Sequence, residues 1–378
     1  MMNARTQLAN EGPTRAGIGA LESVRAFADR ELPKLVRKID GEGYYPEGVL
    51  RELGQLGAYS QHLPGYSTII DLNAAVDAMS AVAEHCVSSA FCMWCQDALA
   101  WYIFASDNEE LKRDVGFRIA QGDVLGGTGL SNPMKAFCDI EPMRLKGAEA
   151  PGGYIVKGVL PYVSNLGTAH YFGAVFEVTS PGGATRNVMA IVPCAAPGLS
   201  LVETAKFAAL DGTGTFVVQM RDVFVPRAWI LADPIDDYLK KIRAGFILLQ
   251  SGMAFGLARD CIRLMEQTRP ALGHVNKFLD EQPEELAEQL DHIQSQAAAL
   301  AATPFEEDLE YWRAVLRARL SAGEASMKAA HGAMLHCGAR GYVASAAAQR
   351  RLREAYFVAI VTPATKQLRK MIADLATD

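Results

Sequence analysis

The sequence predicts an α+β multidomain fold, with an N-terminal helical domain, a middle β-barrel or sandwich and a C-terminal four-helix bundle. Three observations predict it. Apolar residues recur at helical spacing before about position 124 and after about position 233. Between those points they fall in short alternating runs separated by Pro-Gly and Gly-Gly turns. Small residues crowd Ala322 to Ala333 and Ala344 to Ala348, as close helix packing requires. The boundaries that follow are an arm at 1–15, a helical domain at 16–123, a β domain at 124–233 and a helical bundle at 234–378.

In the first domain, Leu21, Val24, Phe27, Leu32, Leu35 and Val36 mark an amphipathic helix over Gly17 to Asp40, with Pro33 expected to bend or divide it. Tyr44 to Gly57 opens on Pro46 and closes on Gly57, a second helix with its stop signal. Residues 68–105 are almost continuously apolar and small, with Phe91, Met93, Trp94, Trp101 and Tyr102 embedded, which predicts long helices buried on most faces. Asp107 to Glu110 caps a further helix, Leu111 to Ala120, ended by Gly122. In the middle domain, Tyr154-Ile155-Val156, His170 to Phe176, Val188 to Val192 and Phe216 to Pro226 read as strands. The acidic stretch Asp280 to Asp291 reads as the solvated face of a bundle helix.

Composition narrows the function. Half of the 378 residues are hydrophobic and the formal charge is −6, with no basic block, which argues against a nucleic-acid or anionic-membrane partner. No run approaches the ~18 apolar residues of a membrane span, and the first fifteen positions lack the apolar core of a signal peptide. The seven cysteines form no disulfide-framework spacing and point to a reducing cytoplasm. Cys92-Met93-Trp94-Cys95 has no second pair and reads as two buried helical thiols, and no His or Cys cluster has metal-ligand spacing, so no metal is expected.

The run Gly126 to Phe172 is the densest in candidate ligand groups. Gly126 and Gly127 allow close backbone approach to a flat ligand, Ser131, Asn132 and Ser164 are short hydrogen-bonding side chains, and Tyr162 offers an aromatic face. A plain β-turn region is the competing reading. The order of these parts resembles the acyl-CoA dehydrogenase family along nearly the whole chain. In that family a loop like T-E-P lies against the flavin, and a G-x-K-x-W-I-T/S-N strand sets an aromatic beside it and a hydroxyl near N5. Leu130-Ser131-Asn132-Pro133 and Gly158 to Asn165 occupy those places, with Asn132 for the Glu and Tyr162 for the Trp. Phe216 to Pro226 resembles the family's F-x-D-V-x-V-P exit strand. By the same resemblance Trp94, Gln96, Asp97 and Phe246 line the substrate pocket, core packing being the alternative for each aromatic; Asp97, a charge in an apolar helix, needs a partner or an exit to solvent.

The resemblance implies FAD, held through Leu130, Ser131, Tyr162 and Ser164. Thr268-Arg269-Pro270-Ala271-Leu272-Gly273 is similar to the R-x-x-F-G motif whose Arg reaches the flavin diphosphate of a neighbouring subunit. Gly338 and Gly341 resemble the F-G-G-x-G-Y turn at the adenosine half, where a helix terminus is the competing reading. The family's usual base is a Glu from the last bundle helices, and here that position falls on Thr362 or Pro363. Relatives that carry it in the first bundle helix match at Phe246, followed by Ile247 where an Arg is customary.

The resemblance therefore implies an FAD-dependent oxidoreductase, a homo- or hetero-oligomer such as a dimer or homotetramer. It would oxidise an acyl-CoA or related small substrate by hydride transfer, without the standard base, and pass electrons to a transfer partner. A flavin-dependent monooxygenase or oxidase, served by a flavin reductase, and a non-catalytic subunit of a hetero-oligomer are the alternatives.

Overall fold

The structure is a computed structural model that describes residues 13–67, 70–180, 182–204 and 206–376. Residues 1–12 of the expected arm lie outside the described residues, while 13–15 open helix α1 (Pro13–Glu42). Pro33 does not divide α1, whose inward residues Val24, Phe27, Leu32 and Ile39 are buried on both sides of it. Packing of that face outweighs the one backbone hydrogen bond that proline removes.

Helix α2 (Glu47–Gln55) follows Pro46, and α3 (Asn73–Ala83) leads into α4 (Val87–Ala105). All 19 residues of α4 are buried, since the segment has no polar stripe to turn toward water. The helix expected over 111–120 is broken into α5 (Glu109–Leu111), a π turn (Lys112–Gly116) and α6 (Phe117–Ala120). Asn108 caps its start by accepting from the Leu111 N–H, and Gly122, at φ +77°, follows its end.

The middle region is one mixed sheet built from β1 (Gly126–Gly127), β2 (Lys146–Ala150), β3 (Gly153–Val163), β4 (Tyr171–Thr179), β5 (Thr185–Pro193), β6 (Leu199–Glu203), β7 (Phe216–Pro226) and β8 (Ile230–Ala232), with the short helix α7 (Ser131–Ala136) after β1. The strands run β6-β7-β3-β2-β4-β5-β8, with β1 added parallel beside β4, so the path stays open rather than closing into a barrel. Strand β4 shows how the sheet joins the helices. Ala174, Phe176 and Val178 pack into the sheet's own core while Val175 faces the helical core. On β5, Val188, Ala190 and Val192 alternate in the same way with Met189 and Ile191.

Beyond the sheet, α8 (Asp236–Leu249), α9 (Ser251–Asn276), α10 (Pro283–Ala301), α11 (Leu309–Cys337), α12 (Ala347–Ile360) and α13 (Thr365–Asp374) form the bundle. Asp308 caps α11 by accepting from the Glu310 and Tyr311 N–H groups, and Gly338, at φ +56°, stops it. A buried ionic cluster fixes α12: Arg351 donates to Asp260 (2.6 Å), Glu354 (2.9 Å), the Ala83 carbonyl (3.0 Å) and the Glu84 carbonyl. The cluster ties α12 to α9 and to the end of α3, and thereby sets the helix that walls the site.

Candidate functional site

A cavity of about 440 Å³ opens where α4, the sheet, the last turn of α8 and the end of α12 meet. Its walls are largely apolar and aromatic, from Phe91, Trp94, Tyr162, Phe207, Phe246 and Phe357. Trp94 stacks on Phe91 (5.7 Å between centroids), meets Phe246 edge to face (5.0 Å) and donates from Nε1 to the Phe246 carbonyl (3.2 Å), so this wall is rigid. Tyr162 is different: it is 60% exposed and contacts Phe207 edge on, which leaves an aromatic face bare to the cavity.

Of the three positions expected for a base, two reach this one cavity. Phe246 arrives from α8, and Thr362 from the link between α12 and α13, while Pro363 is outside the lining. Among the described residues no carboxylate lines the cavity. Polar groups come instead as hydroxyls. The Ser131 and Thr362 oxygens lie 2.9 Å apart, and a second set runs from Ser164 to Thr215 (2.6 Å) and on to Thr213 (2.8 Å). Thr362 is braced from behind: Gln250 Nε2 donates to its carbonyl (2.8 Å) and Gln250 Oε1 accepts from Arg319 Nε (2.9 Å).

Among the described residues the lining has one cation, Arg353, and it is already engaged. Its guanidinium holds Asp40 through both terminal nitrogens (2.9 and 2.6 Å) and donates to the Ala208 carbonyl (2.7 Å). Cys95 also faces the cavity, where burial pushes its thiol up and keeps it protonated.

Several expected site residues stand elsewhere. Gln96 and Asp97 do not line the cavity. Gln96 donates to the Ile119 and Val124 carbonyls (2.8 and 2.7 Å) and accepts from the Gly126 N–H (2.9 Å), so it stitches α4 to β1. Asp97 points away to His62, 3.7 Å off and beyond hydrogen-bond reach, with both side chains fully buried. Burial raises the Asp97 carboxyl well above its usual range and lowers the His62 imidazole to about 3, favouring the neutral form of each.

Leu130 is buried behind the wall that Thr128 and Gly129 form. Asn132 is also turned inward, donating to Glu141 Oε1 and the Pro142 carbonyl (both 2.9 Å). The glycines Gly126 and Gly127 serve the fold rather than a ligand: a Cβ would sit 2.3 Å from the Tyr171 carbonyl oxygen at the first and 2.1 Å from that of Ser164 at the second. Arg269, Gly338 and Gly341 lie outside the cavity lining, at the far end of α9 and the turn after α11. Asn276 joins those two segments by donating to Thr268 Oγ1 (2.9 Å) and the His336 carbonyl (3.1 Å). Arg269 is exposed and paired with Glu284. Among the described residues no group of His, Cys, Asp and Glu is placed to hold a metal ion, and no helix is long and apolar enough to cross a membrane.

The reading from sequence missed Thr128, Gly129, Cys95, Phe207 to Leu210, Thr213, Thr215, Arg353 and Tyr356 as lining residues. The spacing of Thr213 and Thr215, two residues apart just ahead of β7, was the available signal, because β7 pairs with β3 and places them beside Ser164.

Residues 20–123 match the family model described as acyl-CoA dehydrogenase, N-terminal domain. The fold superposes on that of butyryl-CoA dehydrogenase from Megasphaera elsdenii with a TM-score of 0.84 at 16% identity, over 96% of this chain and 98% of that one. The chain has the acyl-CoA dehydrogenase fold and carries that family's N-terminal domain. Human mitochondrial short-chain specific acyl-CoA dehydrogenase is 24% identical over 376 residues, covering 93% of this chain and 88% of the relative. A glutaryl-CoA dehydrogenase from Mycobacterium smegmatis, solved in complex with FADH2, shares the acyl-CoA dehydrogenase fold at a TM-score of 0.76 and 18% identity, over 99% of this chain and 96% of that one.

Proposed function

We propose that this chain is an FAD-dependent oxidoreductase that seats the flavin ring against Tyr162, Ser131 and Ser164. It oxidises a small, uncharged, largely apolar substrate without a carboxylate base. The observation that carries this reading is the composition of one cavity: a bare aromatic face, hydroxyl groups on two walls, and Phe246 and Thr362 at the two places where an acid would be expected. These residues fit a flavin ring, which needs apolar faces and a hydrogen-bonding edge. Bound there, FAD would accept a hydride from the substrate.

The remaining roles belong to the chain. Trp94 and Phe246 form a rigid apolar wall that excludes water and positions the substrate. Ser131 and Thr362 present one shared hydroxyl pair to a carbonyl, alcohol or amine of that substrate. α-Proton removal from an acyl thioester needs a base of suitable pKa in reach, and among the described residues the lining offers only hydroxyls, the thiol of Cys95 and the engaged Arg353. The same absence favours a second reading, oxygenation of a nucleophilic substrate, for which no such base is required.

Arg269, Gly338 and Gly341 fit the adenosine diphosphate half of a cofactor held by a neighbouring subunit, because they stand outside this chain's own cavity. Exposed apolar side chains flank them, Val275, Phe278, Leu335, Tyr342 and Val343, which supports an oligomer. The test is flavin content. Purified protein is expected to be yellow with about one FAD per chain, and Arg269→Ala to retain less after dialysis, one lost charge-assisted contact weakening affinity roughly tenfold. A protein that takes up no added FAD would overturn the reading and favour a non-catalytic partner subunit.

A further inference from the structure

Counting hydrogens along the hydroxyl chain fixes its direction. Thr213 Oγ1 lies 2.7 Å from the Leu210 carbonyl oxygen, which has no hydrogen to give, so Thr213 is the donor there. With its one hydrogen engaged, Thr213 can only accept from Thr215, 2.8 Å away. Thr215 in turn can only accept from Ser164 at 2.6 Å. Ser164 therefore faces the cavity with lone pairs and no hydrogen.

The backbone holds this arrangement. Asn165 N–H donates to the Thr213 carbonyl (2.8 Å) and Leu166 N–H to that of Gly214 (3.0 Å), so the two segments cannot slide apart. Leu210, whose carbonyl ends the chain, has φ +65°, and Asn165, next to Ser164, has φ +63°. Such left-handed conformations are uncommon outside glycine and persist where the surroundings impose them.

We propose that Ser164 is a one-way hydrogen-bond acceptor, its own hydrogen tied up in the relay to Thr215, Thr213 and Leu210, so that this wall selects an N–H donor and favours reduced over oxidised flavin. The inference rests on the FAD reading above. Were N5 of a flavin seated beside Ser164, as the family resemblance implies, it would be a bare acceptor when oxidised and an N–H donor when reduced, so an acceptor at this wall would be unpaired in one state and satisfied in the other. Thr213 is a positioning residue: it sets the polarity of a hydroxyl that it does not need to see the ligand to control.

The experiment is the midpoint potential of the flavin-loaded protein, read by equilibration with a reference dye, for wild type, Thr213→Val, Thr215→Val and Thr213→Ser. Valine at 213 lets Thr215 turn and donate to Ser164, which frees Ser164 to donate to oxidised flavin. The preference for the reduced state is expected to fall about tenfold, a shift of about 30 mV to lower potential for a two-electron couple. Thr215→Val, which leaves Ser164 free to rotate, is expected to move the potential the same way, and Thr213→Ser, which keeps the hydroxyl, to match wild type. Potentials unchanged or raised in both valine variants would overturn the relay while leaving the FAD reading intact. Failure of the wild type to take up FAD in either state would overturn both.

Discussion

The hydroxyls of Ser131 and Thr362 lie 2.9 Å apart across the cavity, linking the start of α7 to the segment between α12 and α13. One hydrogen lies between them, which leaves a single O–H and several lone pairs for a ligand. Thr362→Glu would put a carboxylate in that place, in an apolar cavity that raises its pKa toward that of a working general base. The flavin-loaded variant is expected to gain bleaching by a short acyl-CoA under anaerobic conditions, at a rate at least ~10²-fold above wild type, the lower range for a positioned base. No gain in a folded, flavin-replete variant would count against Thr362 as the register position.

Asp260 gives a stability prediction with a defined pH window. Burial acts to raise its pKa, but the charges of Arg351 and Arg263 outweigh it and hold the carboxyl below its usual value of 3.8. A depressed folded pKa stabilises the protein above the unfolded value, and that stability is lost as pH falls through the folded one. Asp260→Ala is expected to lose ~3–5 kcal/mol at pH 7, because Arg351 is left buried with one partner fewer. The loss should shrink below pH 4, as urea melts at pH 7 and pH 3 would show.

The Asp97 and His62 pair predicts the opposite sign. Neither carboxyl oxygen of Asp97 and neither ring nitrogen of His62 has a hydrogen-bond partner. Because burial raises the Asp97 pKa, its unfavourable contribution is absent below the unfolded value near 3.8 and grows as pH rises. Asp97→Leu, close in size, is expected to stabilise the protein by ~1–3 kcal/mol at pH 8, and by less at pH 5, in paired denaturant titrations. A destabilised variant would show that the pair is held together by a bond which the 3.7 Å separation does not indicate.

The sequence carried the order of helices and strands because each has its own period and stop signal, as at Pro46, Gly122 and Gly338. Phe246 and Thr362, two of the three positions singled out by counting from nearby motifs, both line the cavity. The face of α4 was not legible. With every residue buried there is no polar stripe to orient the helix, so Trp94, Gln96 and Asp97 were all expected in the pocket although of the three Trp94 alone meets the cavity. Thr213 and Thr215 were hidden for another reason: strand pairing between β3 and β7 brings them to Ser164 across about fifty residues of chain. The closed barrel offered as one alternative did not form, because β6 and β8 remain the two ends of the sheet.

The central claim is a flavin site that works without a carboxylate base, and anaerobic titration of the yellow protein with a panel of acyl-CoA esters tests it most directly. Flavin absorbance is predicted to persist with every ester on the timescale of turnover. Rapid bleaching by any one of them would contradict the account, by showing that the chain removes an α-proton with a group the cavity does not display.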